Sequence, residues 1–142
     1  MAADVQIASL LRIAAEDLAG AKLLLKAGNR NSFYLCEQAA EKVIRAILTS
    51  EGQHGGIKHH LDEMVDLIPD ENPIKARLRT VEELSAYATT WRYPTPGGRV
   101  PQPRGDLASM ILRVEALLEE AVQRFGVDLK LDTPARTARP LR

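Results

Sequence analysis

Ile7, Leu11, Ala14, Leu18, Ala21 and Leu25 recur at steps of three or four residues. That period fits an amphipathic α-helix and no strand. Leu10 and Leu24 widen the stripe, so the spacing predicts a helix over Val5 to Ala27, with Gly28-Asn29 as its C-cap signal. The same period returns in Phe33, Cys36, Ala40, Val43 and Ile47, broadened by Ala39, Ile44 and Leu48. It predicts a second helix over Asn31 to Glu51, capped at Asn31 or Ser32 and stopped by Gly52. Only about three residues separate the two, so they must pack antiparallel as a hairpin.

Further along, His60 to Ile68 reads as a short helix ended by Pro69. Pro73 opens a third long helix whose buried face is Ile74, Leu78, Val81, Leu84 and Ala88. That helix should end near Trp91, because Pro94 disfavours helix in the residue before it. Tyr93 to Gly105 holds four prolines and three glycines and cannot continue a helix. Asp106 caps a fourth long helix, with Leu107, Ile111, Val114, Leu118 and Ala121 inward, to Phe125 and Gly126. The expected fold is all-α: an up-and-down four-helix bundle with one extra short helix over residues 5–127. Residues 128–142, with two prolines and few apolar side chains, read as a disordered tail.

Composition narrows the function classes. Aromatic residues are 4% of the chain, so the core must be aliphatic, which suits helices better than a β-sandwich. With 19 basic and 19 acidic residues the net charge is zero, and the chain lacks the overall field of a non-specific nucleic-acid binder. Any anion site must be local. The single cysteine, Cys36, falls on an apolar helix face; it reads as core and points to a reducing, cytoplasmic setting. The first residues lack the charged start and apolar run of a signal peptide, and no stretch reaches the ~18 apolar residues of a membrane span.

Two polar groups stand out. Glu37, Glu41 and Arg45 step by four along the second helix, beside Gln38 and Lys42 at the same spacing. They form either a solvated stripe, with pairs contributing ~0.2–0.5 kcal/mol each, or a functional face. Arg92-Tyr93 lies at the expected end of the third helix, and no acidic residue occurs from Leu84 to Gly105, where Arg92, Arg99 and Arg104 do. A guanidinium can bind phosphate with two parallel hydrogen bonds, and a phenol can stack or donate. The alternative is that Trp91 and Tyr93 anchor the helix end while Arg92 satisfies terminal carbonyls. His54, His59 and His60 have no cysteine beside them and no metal-ligand spacing, so neither a metal nor another cofactor is expected. No phosphate-cradling glycine motif, nucleophile elbow or paired acid and base is present, and no catalytic residue is assigned.

Together these pieces resemble the HEPN family, named for its occurrence in higher eukaryotes and prokaryotes and for nucleotide binding. Ala15 to Leu24 is similar to its first helix and Cys36 to Leu48 to its second. His60-Leu61 with the later Arg92-Tyr93-Pro94 is similar to its third segment. The resemblance covers about Ile7 to Phe125. It implies a helical bundle, often a homodimer, and for bacterial members a small nucleotidyltransferase partner in a two-component or toxin–antitoxin system. It makes Gln38, Glu41, Lys42, Arg92 and Tyr93 the candidate residues for a nucleotide or other phosphate-bearing ligand. Many members are ribonucleases that use Arg, four to six residues, then His. Here no histidine follows position 60, and Arg45 to His54 has the wrong spacing. A ribonuclease toxin with a degenerate site, acting on RNA, and a purely structural dimerisation domain remain the alternatives.

Overall fold

The computed structural model describes residues 2–54, 56, 60–86, 93–99 and 106–130, and every regular element among them is helical. Helix α1 spans Ala2–Lys26 and α2 spans Asn31–Ser50. A short α3 (Leu61–Asp66) and a single turn, α4 (Lys75–Leu78), follow. Next come a 3-10 segment (Arg79–Ser85) and a long α5 (Leu107–Phe125). The all-α expectation is met, and the three long helices end within a few residues of the predicted limits.

Local chemistry explains those limits. Gly28 adopts φ +68°, Asn29 N–H bonds to Leu24 O and Gly28 N–H bonds to Leu25 O. This pair of bonds satisfies carbonyls that the end of α1 would otherwise leave open, and the left-handed residue strains anything with a Cβ. Gly126 closes α5 in the same way at φ +62°, and Val127, donating to Val122 O, packs partly buried against the core. At the other end of α5 the Asp106 carboxylate accepts from Ser109 N–H at 3.3 Å, the expected cap.

The predicted third long helix is not one α-helix. After one α turn the chain tightens into the 3-10 segment. Leu78, Val81 and Leu84 are all buried and are spaced by three. A 3-10 helix has 3.0 residues per turn, so it stacks these three in one line toward the core, where an α-helix would fan them over a wider arc. Arg79 pairs with Glu82 three residues on at 2.5 Å and with Asp66 at 2.7 Å. Ser85 Oγ accepts from Leu61 N–H at 2.7 Å, fastening the segment to the start of α3. The expected short helix is also trimmed, from His60–Ile68 to Leu61–Asp66. Ala88 and Trp91 lie outside the described residues.

Helix α2 is the centre of the fold, packing against α1, α3, the 3-10 segment and α5. Cys36, Ala39, Val43, Ile44, Ala46, Ile47 and Leu48 are all at most 1% exposed. Helix α1 lies antiparallel to it and comes close: a Cβ placed on Gly20 would stand 2.9 Å from the Leu35 methyl. Ser32, fully buried, donates its hydroxyl to Ala21 O at 2.6 Å across the same contact. Leu25, expected in the buried stripe of α1, is 38% exposed. It lies in the last turn, beyond the reach of the helices that cover the rest. Past α5 the chain does not leave at once, because Arg12 Nε and Nη2 both donate to Asp128 O. Residues 131–142, most of the expected tail, lie outside the described set.

One buried polar residue knits three segments. Asn72, 5% exposed, donates to Glu51 at the end of α2 (2.8 Å). Its carbonyl oxygen accepts from Ile74 N–H (3.2 Å) and from Arg124 in α5 (2.8 Å). Removing that amide leaves a buried N–H and two charged neighbours without it. Asn72→Ala is expected to lose about 2–3 kcal/mol of unfolding free energy in urea titration. Asp70→Ala, nearby on the surface, should leave the curve almost unchanged.

Candidate functional site

On α2 the residues at Gln38, Glu41 and Lys42 follow the helical period that puts 38 and 42 on one line and 37, 41 and 45 on the next. Lys42 Nζ donates to Gln38 Oε1 at 3.3 Å and, across the hairpin, to Asp17 Oδ2 on α1 at 2.7 Å. Gln38 Nε2 in turn donates to Glu37 Oε1 at 2.9 Å. The result is one hydrogen-bonded chain from α1 to the interior: Asp17, Lys42, Gln38, Glu37. Beside it Glu41 Oε2 accepts from Arg45 Nε at 2.9 Å, and Arg45 Nη1 reaches Gly56 O at 3.3 Å. Lys42 and Asp17 keep about a fifth of their side-chain surface in solvent, as does Arg45.

Two residues belong to this strip that the sequence did not nominate. Asp17 is the ionic partner of Lys42. Its signal is the hairpin itself: an antiparallel pair turning at residues 28–29 sets position 17 level with about position 40, within a turn of Lys42. Glu37 was read as part of a polar stripe, but its side chain is fully buried. One carboxyl oxygen accepts from Gln38, and the other, Oε2, has no hydrogen-bond partner among the described residues. Burial pushes its pKa up to about 7, and neighbouring Glu41 adds to the rise. The Gln38 hydrogen bond, Lys42 and Arg45 oppose it. Cys36, also buried, is pushed up to about 12, again by burial first, so its thiol is inert, as its apolar position predicted.

The electrostatics follow. Three carboxyl groups (Asp17, Glu37, Glu41) meet two cations (Lys42, Arg45), and both cations are engaged. An incoming anion must therefore exchange with Asp17 or Glu41, and protonation of Glu37, as the pH falls below about 7, makes that exchange easier. The strip does not itself carry excess positive charge. Of the other candidates, Tyr93 is 65% exposed and Arg92 lies outside the described residues. Residues 93–99 form an exposed turn, with Thr95 N–H donating to Arg99 O at 2.7 Å. Gln38 and Lys42 are thus brought together, and Glu41 lies on the adjacent line with Arg45. Among the described residues no three His, Cys, Asp or Glu side chains are grouped to hold a metal ion. Nor is any described helix long and apolar enough to cross a membrane.

The HEPN domain family model matches residues 7–125, from the first core residue of α1 to the last residue of α5. The chain belongs to the HEPN family. The match spans the α1–α2 hairpin, the strip upon it and the Arg92-Tyr93 segment. A search of curated proteins and a search of solved structures find no significant match. HEPN membership fits a nucleotide- or RNA-related role and is the one functional statement the comparisons carry.

The buried carboxyl makes a pH prediction. The folded chain holds the Glu37 proton more tightly than the unfolded chain, because the folded pKa is raised. That stabilising contribution is full below about pH 4.5 and is lost as the pH rises through about 7. Glu37→Gln removes the titration and keeps the shape. The variant should gain on the parent between pH 4.5 and 7 and stay ahead at pH 8, by on the order of 3 kcal/mol in chemical unfolding. A difference that does not vary with pH would show that Glu37 does not titrate in this range.

Proposed function

We propose that this HEPN chain is a non-catalytic nucleotide- or substrate-binding module. It acts with a small nucleotidyltransferase subunit, as in two-component nucleotidyltransferase or toxin–antitoxin systems, and works as a cytoplasmic homodimer. The same reading counts the bundle as four-membered, with the segment from Pro73 onward as its third member. The observation that carries it is the polar strip. It borders the buried face of α2 and enters it at Glu37, is tied to Asp17 of α1, and remains partly open to solvent. A surface of merely solvated charges has no need of a hydrogen-bonded chain running into a buried carboxyl.

In this reading Lys42 exchanges Asp17 for a ligand phosphate, a compact point charge suited to one oxygen at a time. Arg92 adds a bidentate grip, and Tyr93, exposed beside it in sequence, stacks on a base. Gln38 and Glu41 supply an amide and a carboxylate for the polar edge of that base. The chain lacks the Arg-x(4–6)-His pair of the ribonuclease members. No general acid or base is assigned, and RNA is expected to survive incubation with the protein.

Isothermal titration of the full-length protein with ATP and with GTP tests the reading, alone and with the nucleotidyltransferase subunit. Saturable binding is expected, weakened tenfold or more, about 1.4 kcal/mol, by Lys42→Ala and by Arg92→Ala. No saturable binding in either setting, with the protein folded, overturns it.

A further inference from the structure

Among the described residues Glu37 is the only buried acid, and its Oε2 accepts no hydrogen bond. The rest of the strip is committed: Asp17 to Lys42, Glu41 to Arg45, and Gln38 to both Lys42 and Glu37. A glutamine at position 37 would fill the same space without an ionisable group in the core. The carboxyl is thus unfavourable for packing whenever it is ionised. Its place is at the inner end of the hydrogen-bonded chain whose outer end is the Lys42 ammonium, with one side chain, Gln38, between them.

Charge counting shows what that place allows. With Glu37 ionised the strip holds three negative groups and two positive ones, and with Glu37 protonated the two signs balance. An anion arriving at Lys42 adds negative charge to the strip. Asp17 and Glu41 each face a cation, so neither gains by taking a proton near neutral pH. Glu37 faces none directly, and its bare Oε2 lone pair accepts a proton without moving any side chain. The charged groups that act on it lie on its own helix, namely Glu41, Lys42 and Arg45, with the Cys36 thiol beside it. From α1, Asp17 stands behind Lys42. On the other elements packed against α2, Asp66 and Glu82 pair with Arg79, Glu120 with Arg77 and Glu115 with Lys22. None of these groups contributes to the field at Glu37.

We propose that the strip is a proton-coupled anion site: a phosphate-bearing ligand settles on Lys42 as Glu37 takes up one proton from solvent, so that affinity rises as the pH falls. The inference rests on the nucleotide reading and adds its regulation. The Oε2 lone pair forms the new O–H bond, the solvent acid gives up the proton, and Gln38 keeps donating to Oε1. Coupling of this kind is reciprocal, so the ligand raises the proton affinity of Glu37 by the factor that the proton raises the ligand affinity. In the ligand-free chain burial pushes the carboxyl up to about 7, which sets the coupling near neutral pH.

The test compares ATP binding by the full-length chain and by Glu37→Gln from about pH 6 to pH 8. ATP titrates as well, but the variant carries that contribution alone, so the difference between the two proteins belongs to Glu37. At pH 8 the variant should bind about fivefold more tightly than the parent, with the advantage gone near pH 6. Calorimetry in two buffers of different ionisation heat should show more proton uptake by the parent than by the variant. Carbon-13 NMR of the parent's carboxyl groups needs no variant. The Glu37 midpoint should move upward when ATP saturates the protein, while Asp17 and Glu41 stay ionised. Binding with equal pH dependence in both proteins overturns the coupling and leaves the nucleotide reading standing. So does a Glu37 midpoint that ATP leaves in place, or a proton taken up at Asp17 or Glu41. No saturable binding by either folded protein overturns the nucleotide reading, and the coupling with it.

Discussion

Helix α2 packs against four neighbouring elements, and a polar side chain on its buried face must find its partners among them. This constraint organises the molecule. The Lys42 ammonium is met by Asp17 from α1 and by Gln38 from its own helix, and Gln38 passes the hydrogen bond inward to Glu37. The hairpin register that permits this is set by close packing. Gly20 lets α1 approach Leu35, and Ser32 hands its hydroxyl to Ala21 O. A slip of one residue along the hairpin would separate Asp17 from Lys42 and leave a partly buried charge unpaired, which costs far more than a surface pair contributes.

Much of the fold was legible because three helices carry both a clear apolar period and unambiguous ends. Gly28, Gly126 and Asp106 mark boundaries through backbone chemistry that acts within a few residues, so sequence alone exposes it. The third segment was misread because what decides its winding is not local. Leu78, Val81 and Leu84 fit an α-helical stripe and a 3-10 line almost equally well, and contacts with α3 and α2 select the tighter winding. The candidate site was legible in part. Spacing identified Gln38, Glu41 and Lys42 as neighbours. Periodicity states which side chains share a line but not what covers them, so the burial of Glu37 was invisible. Asp17 lies twenty-five residues from Lys42 along the chain, and only the tertiary register brings it there.

Helix α1 serves two surfaces of opposite character. Its Asp17 flank completes a polar strip in which every cation is paired, and its Ala15–Ala19 flank lines an aliphatic groove against α5. HEPN membership fits a nucleotide- or RNA-related role for the chain, and the proposed function places that role on the first surface.

In the proposed function, Lys42 is held in reserve by Asp17 and released to an anionic ligand. Asp17→Asn keeps the size of the side chain and removes its charge, so it frees the ammonium without taking it away. The ATP or GTP affinity of this variant, measured by titration against the parent protein at low salt, is the most direct test. Binding tightened by several-fold is predicted. Affinity that is unchanged or weaker in a folded variant would show that the Asp17–Lys42 pair is an architectural tie between two helices and not part of a binding site.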